Sequence, residues 1–386
     1  MRHTASACAE YYMARALELA RRGLYTTHPN PRVGCVLVKN GRVIAEGWHE
    51  RAGEAHAEVQ ALMRAGKKAK GATAYVTLEP CSHQGRTPPC ADALIAAGIK
   101  SVVIGMQDPN PEVAGRGIAK LQAAGIQVQV GVLQAQAEAL NPGFCRRMRE
   151  QMPWVRCKMA MSLDGRTGMR SGESQWITGP AARAQVQGLR AQSSAIVTGV
   201  DTVIYDDCAL TVRAPHLLLD AQETALACER QPLRVILDSN LRTPLWAQIF
   251  KHPGDIWIMT TCDNAQKRAD LEALGAQVHV FKANAMGRLP LAQVLKVLAQ
   301  SGCNEILLET GATLAGSFIQ AGLVDALVVF MAPTLLGQGA RPLFALTGIE
   351  KMADQRPLVI DNIRAVGHDW RIDAHFATPS QTATHE

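Results

Sequence analysis

The chain has 386 residues, longer than one hydrophobic core usually supports, so two domains are expected. Hydrophobic residues make up 47%, and no run approaches the roughly 18 consecutive apolar residues a membrane span needs, which argues against a membrane partner. The net charge of +6 is uneven: residues 1–151 hold 19 Lys and Arg against 12 Asp and Glu, and the remainder holds 21 against 22.

An amphipathic helix is predicted over 8–22, and with Glu10 and Glu18 on it this segment does not read as a signal or transit peptide. Short strands follow over 33–38 and 42–46, joined by Asn40-Gly41, a pair suited to a tight hairpin turn because both residues tolerate positive φ. A helix starts near Ala55, a strand covers 73–78, and a second helix starts at Pro88-Pro89, where the missing proline amide would be unpaired anyway. A strand near 101–105 and a helix around 117–124 complete an α/β/α sandwich for a domain of residues 1–150. The stretch 141–153 reads as the linker, and its basic cluster, Arg146, Arg147 and Arg149, as a solvated helical face rather than a phosphate site.

From Trp154 a second α/β domain, residues 151–386, alternates again. Strands are expected near 155–161, 195–198, 234–238, 256–260, 277–281, 305–308 and 326–331, with helices around 181–190, 291–299 and 313–321. This pattern predicts a mostly parallel sheet covered on both faces, and residues 378–386 read as a frayed end. Ten cysteines without paired spacing point to a reducing compartment, the cytoplasm, rather than to a disulfide framework.

The sharpest chemistry lies in His56-Ala57-Glu58, Pro80-Cys81 and Cys90. His56, Cys81 and Cys90 are three zinc ligands, which leaves the metal a fourth position for water, and Glu58 is an unligated carboxylate able to carry protons. His56 and Cys90 sit near helix starts, whose positive ends stabilise a thiolate. The other reading of these ligands is a structural zinc site with His83 or His49 as a fourth ligand, but such sites usually show paired Cys-x-x-Cys knuckles, whereas eight residues separate Cys81 from Cys90.

The runs Thr27-His28-Pro29-Asn30-Pro31, His56-Ala57-Glu58, Glu79-Pro80-Cys81-Ser82-His83 and Gly85-Arg86-Thr87-Pro88-Pro89-Cys90 resemble the bacterial bifunctional riboflavin biosynthesis proteins, a pyrimidine deaminase fused to a reductase. The resemblance continues through Ser162-Leu163-Asp164-Gly165, Gly172-Glu173-Ser174-Gln175-Trp176-Ile177-Thr178 and Leu210-Thr211-Val212-Arg213, covering all but the last few residues. It implies a cytidine-deaminase-like α/β/α domain followed by a dihydrofolate-reductase-like α/β domain. It also implies one zinc ion, NADPH, a phosphorylated pyrimidine substrate and a homo-oligomer, dimer or tetramer.

For the cofactor the matching positions are Ala160, Trp176, Thr202, Asp206, Ser239 and the turn Gly311, Ala312, Thr313, Leu314, Ala315, Gly316 and Ser317, which reads as a strand, a glycine turn and a helix start. Ser239, Asn240 and Arg242 lie where a 2′-phosphate could be read. For the substrate they are Ser174, Arg190, Leu210, Arg213 and Glu309, with Lys158 and Asp164 as further positioning residues. In the deaminase, Asn30, His49 and Arg86 are expected to contact the ring and the phosphate.

Each has a plainer alternative: surface ion pairs for Arg190 and Arg213, a core aromatic for Trp176, a helix cap for Asp206, a backbone-satisfied loop histidine for His49 and a turn residue for Asn30. Cys208 and Ala312 stand where the family usually has Pro. The rival functions are a zinc deaminase of nucleic-acid bases with a C-terminal binding module, and a non-catalytic zinc-stabilised interaction protein. Aromatic residues, 5% of the chain, do not interleave with basic ones, so nucleic acid is not the expected partner.

Overall fold

The computed structural model describes residues 2–83, 88–111 and 113–377, with side chains from residue 7 onward. The chain divides into two compact units, Met1–Met152 and Pro153–Glu386.

In the first unit the elements are α1 (Arg2–Arg21), β1 (Gly34–Lys39), β2 (Arg42–Trp48), α2 (Ala57–Ala65), β3 (Thr73–Leu78), α3 (Cys90–Ala96), β4 (Ser101–Met106), α4 (Arg116–Ala123), β5 (Gln127–Val130), α5 (Gln134–Leu140) and α6 (Pro142–Glu150). They build a mixed sheet of order β2-β1-β3-β4-β5. Asn40 and Gly41 take φ of 51° and 71°, the values a two-residue hairpin turn needs to match strand twist. Gly34 pairs with Trp48 and Cys35 with Gly47, so Gly34 and Gly47 face opposite sides of the sheet. A Cβ on Gly34 would meet Ala16 O of α1 at 2.0 Å, and one on Gly47 would meet Ala57 O of α2 at 2.4 Å. These two missing side chains let one helix seat on each face, and the second contact fixes the start of α2.

Most of the stretch 141–153, expected as the linker, is the helix α6. Pro142 opens α6, a position where proline fits a helix, and Gly143 and Cys145 are buried. Arg149 pairs with Glu138 on the solvent side, whereas Arg146, which pairs with Glu150, is only 17% exposed. The edge strand β5, Gln127–Val130, alternates strictly but is only four residues long and largely exposed, and the sequence reading did not place it.

The second unit contains β6 (Trp154–Ser162), β7 (Arg166–Gly168), α7 (Pro180–Gln192), β8 (Ala195–Gly199), α8 (Val200–Asp206), α9 (Ala221–Cys228), β9 (Leu233–Leu237), β10 (Ile256–Thr260), α10 (Ala265–Ala273) and β11 (Ala276–Val280). It continues with α11 (Leu291–Gln300), β12 (Glu305–Glu309), α12 (Ala312–Gln320), β13 (Ala326–Ala332), β14 (Arg341–Pro342), β15 (Leu358–Val366) and β16 (Asp369–Phe376). Nine strands form one sheet of order β11-β10-β9-β8-β12-β6-β13-β16-β15. The first seven in that order run parallel, and β16 and β15 close the edge as an antiparallel hairpin that the sequence pattern did not predict.

In that hairpin Leu358 lies opposite Phe376, Ile360 opposite Ala374, Ile363 opposite Ile372 and Ala365 opposite Trp370, so these eight side chains share one face. A register shift between Ile360 and Asn362 breaks the alternation of β15, which is why it did not read as a strand. In the parallel part, strand order moves outward from β8 to β11 while β12 inserts between β8 and β6. Such a reversal opens a crevice beyond the carboxyl ends of the strands.

Candidate active sites

In the first unit three chain segments meet at one end of the sheet. His56 is the N-cap of α2, Cys81 follows β3 and Cys90 opens α3. Their ligand atoms lie within 4.8 Å of one another. His56 Nδ1 is 3.3 Å from Cys90 Sγ and 3.6 Å from Cys81 Sγ, and the Cys90 amide donates to Cys81 Sγ at 3.3 Å. Hydrogen bonds from Cys90 and then from His56 hold the Cys81 thiol below its ordinary value. One imidazole and two thiolates are a borderline-soft donor set suited to zinc. Among the described residues no fourth ligand joins this group, which weakens the structural-zinc reading.

Glu58, in the first turn of α2, is 3% exposed, and burial pushes its carboxyl up to about 7, against the opposing pull of His56. His49 is buried beside the triad, its ring edge-on to His56 at 5.2 Å. Burial lowers its pKa, so the ring is neutral near pH 7; Nδ1 faces Ala55 O at 3.3 Å and must carry the proton, and Nε2 then accepts from Asn30 Nδ2 at 3.1 Å. Asn30 and His49 are thus brought together at the zinc-type site. The expected contact Arg86 lies outside the described residues.

Glu79 is a residue whose role the sequence left unread. Its buried carboxylate accepts from the amides of Gly117 (2.9 Å), Gly115 (3.0 Å), Ile118 (3.2 Å) and Asp108 (3.2 Å). It thereby ties the chain just before Cys81 to the start of α4. The signal was present: an acid at the end of a buried strand, two residues before a ligand, with no solvent to face.

In the second unit a cavity of about 2170 Å³ lies beyond the carboxyl ends of the parallel strands. It takes in Lys158 and Ala160 from β6, Thr202 and Asp206 from α8, Ser239, Asn240 and Arg242 after β9, and Glu309 and Gly311 at the end of β12. Ser174, Trp176, Arg190, Leu210 and Arg213 line the same space, as do Ala312, Thr313, Leu314 and Ser317 of α12. Ala315 is fully buried, and a Cβ on Gly316 would meet Ala345 O at 2.1 Å, so these two pack α12 in place and do not line the cavity.

Arg190 and Glu309 form a nearly buried two-pronged pair at 2.7 and 2.9 Å, and Arg190 also donates to Thr211 O at 3.1 Å. Burial alone would raise the Glu309 pKa, but Arg190 overrides it and holds the carboxyl below its ordinary value. Lys158 sits opposite Glu309 in the β6–β12 pairing, and burial lowers its ammonium pKa. Ser174 Oγ donates to Asp206 at 3.3 Å. Trp176 is 69% exposed under the Arg183 guanidinium at 4.6 Å, so it is a cavity-wall aromatic and not a core one. Arg242 reaches Asp201 at 2.7 Å.

Asp164 does not line the cavity. It accepts from the amides of Gly337 (2.8 Å) and Leu336 (3.1 Å) and from the Ser162 hydroxyl, pinning two loops together. Arg341, carried by the short β14–β7 ribbon, lines the cavity. Its glycine-rich surroundings, Gly337-Gln338-Gly339-Ala340, gave no periodicity from which to place it.

Residues 6–106 match the cytidine and deoxycytidylate deaminase zinc-binding region, and residues 153–372 match the RibD C-terminal domain. The riboflavin biosynthesis protein RibD of Escherichia coli K12 is 54% identical over 364 residues, covering 93% of this chain and 97% of that protein. This chain belongs to the RibD family. RibD proteins are bifunctional deaminase/reductases of riboflavin biosynthesis, and this chain carries the His/Cys/Cys zinc-type site of the deaminase.

The structure is similar to Acinetobacter baumannii RibD, with TM-score 0.88 and 47% identity over 97% of this chain and all of that one. It is also similar to the diaminohydroxyphosphoribosylaminopyrimidine deaminase/5-amino-6-(5-phosphoribosylamino)uracil reductase of Thermotoga maritima, with TM-score 0.82 and 32% identity over 96% and 99% of the two chains. The RibD match over residues 153–372 displaces the reading of the second domain as a nucleic-acid-binding module. No helix of the described residues is long and apolar enough to cross a membrane.

Proposed function

We propose that the first unit deaminates 2,5-diamino-6-ribosylamino-4(3H)-pyrimidinone 5′-phosphate at its amine-bearing carbon 2, and that the second reduces the ribosyl group of the product to ribityl with NADPH. The observation that carries this reading is the triangle of His56, Cys81 and Cys90 with buried, unligated Glu58 beside it. These three residues would hold zinc, which would supply Lewis acidity for activating water near neutral pH. Glu58 takes the water's proton and returns it to the departing amine, a role its raised pKa suits. Asn30 and His49 form the wall that meets the ring.

In the reductase NADPH supplies the hydride. The start of α12 has no side-chain cap, and Gly311 leaves the space in front of it open, which fits a pyrophosphate against the first-turn amides. Ala312, where proline is usual, adds one more free amide there. Ala160, Trp176, Thr202, Asp206 and Ser239 line the rest of the cofactor path. Arg242, with Ser239 and Asn240, reads the 2′-phosphate.

On the substrate side Ser174 and Leu210 shape the wall, and Lys158 lies beside Glu309. Arg190 is committed to Glu309, so the cation for the sugar phosphate is Arg213, whose guanidinium makes no hydrogen bond among the described residues. None of the ten cysteines is in a disulfide, which supports a cytoplasmic address. The family resemblance also supports a homo-oligomer.

Cofactor titration followed by NADPH fluorescence tests the reductase half. The protein is expected to bind NADPH more tightly than NADH, and Arg242→Ala to weaken NADPH by about tenfold or more, the worth of a charge-assisted hydrogen bond, without changing NADH. Equal affinity of the unaltered protein for both cofactors contradicts this reading.

A further inference from the structure

Glu79, two residues before Cys81 and 3% exposed, caps a helix from a distant part of the chain. Helix α4 has no side-chain cap of its own, since Gly115, with φ of 79°, occupies the N-cap position. The first-turn amides of Gly117 and Ile118 donate instead to Glu79 Oε1, at 2.9 and 3.2 Å, while those of Gly115 and Asp108 donate to Oε2, at 3.0 and 3.2 Å. Among the described residues each carboxylate oxygen thus serves two amides and no side chain. A second contact joins the same two places: a Cβ on Gly117 would meet Pro80 O at 2.0 Å, so the start of α4 lies against the peptide that leads into Cys81.

Only Pro80 separates this anchor from the ligand, and its ring fixes φ at about −65°. Beyond it Cys81 O accepts from the Ala91 amide at 3.1 Å, and Cys81 Sγ from the Cys90 amide at 3.3 Å. Cys81 is therefore held from both sides, by α4 through Glu79 and by the start of α3 through its own carbonyl and sulfur. We propose that Glu79 is a positioning residue of the zinc-type site, acting through Pro80 to hold the Cys81 sulfur where it meets His56 and Cys90. A cap that served α4 alone would need only serine, threonine, asparagine or aspartate at the N-cap position. Here the acceptor comes from the strand end that delivers a ligand, and it gathers the Asp108 amide, outside the helix, as well.

The role rests on the zinc reading, and one set of measurements separates the two. The full chain is loaded with cobalt(II), whose visible bands report the sulfur geometry, and zinc loss from the zinc-loaded chain to excess chelator is timed. Glu79→Gln keeps the side-chain length but turns a donor toward two backbone amides in place of an acceptor. It is expected to shift the cobalt bands and to speed zinc loss about tenfold or more, the usual effect of loosening a group that supports a metal ligand. Leu121→Ala, which empties a fully buried position on the same helix, is expected to lower the melting temperature and leave both metal readouts unchanged. Unchanged bands and zinc loss in Glu79→Gln, or equal changes in Leu121→Ala, overturn the role and leave the zinc reading standing. An unaltered chain that takes up neither metal overturns both. If Glu79→Gln does not fold, Gly117→Ala, whose Cβ forces α4 away from Pro80 O, decides by the same readouts and outcomes.

Discussion

Arg190 and Glu309 show how the reductase cavity keeps charge inside the protein. Each side chain is about nine-tenths covered, and the carboxylate stays ionised because the guanidinium fork meets both of its oxygens. Removing one partner strands the other. Glu309→Ala is expected to cost about 3–5 kcal/mol in urea unfolding, while the double variant Arg190→Met/Glu309→Leu loses less because the buried guanidinium leaves together with the carboxylate that paired it. A single variant costing under about 1 kcal/mol contradicts this account.

At this scale much of the deaminase site was legible, because metal ligands are few in kind and carry their chemistry in their side chains. His56, Cys81 and Cys90 could be named from type and spacing, and the fold brings their ligand atoms together. Glu79 could not be given a role, because a carboxylate that works by accepting backbone amides looks in sequence like any other acid. Asp164 was misread for the same reason: only the fold shows that its oxygens are taken by Leu336 and Gly337.

Among the elements, the turn between β6 and β7 depends on that aspartate. The Ser162 hydroxyl first, then the two loop amides, hold its carboxyl down to about 2, below the ordinary 3.8. A depressed carboxylate contributes stability that is fully present above its unfolded pKa and is lost as pH falls through its folded one. The difference in thermal midpoint between the unaltered chain and Asp164→Asn is therefore expected to be constant above about pH 4 and to close between about pH 4 and 2. A gap that does not change across that window contradicts the assignment.

Elements with steady alternation and clear stops, such as β3, β12 and the β1–β2 hairpin, could be read directly from the chain. The β15–β16 hairpin could not, because its bulge shifts the alternation by one residue midway. Nor could α6, since a proline and a glycine at its first two positions look like a linker until the buried Cys145 shows what it packs.

Across the whole molecule, two units carry two chemistries with separate residues, zinc ligands in the first and a cofactor-sized cavity in the second. The mostly parallel character of the large second sheet followed from the alternation of strands and helices, whereas the small β14–β7 ribbon did not. Which strand ends converge did not, because the insertion of β12 between β8 and β6 is a long-range pairing that no local pattern encodes.

The central claim is that the two sites act in series and independently, and the most direct measurement follows ammonia release and NADPH oxidation separately on the diaminopyrimidine ribosyl phosphate, for the unaltered chain and for Glu58→Gln. The unaltered chain is expected to give both signals. Glu58→Gln should keep its zinc, lose ammonia release by about 10²-fold or more, the usual worth of a positioned proton carrier, and oxidise NADPH only when given the deaminated intermediate. Ammonia release that survives Glu58→Gln, or NADPH oxidation that stays lost when the deaminated intermediate is supplied, contradicts the account.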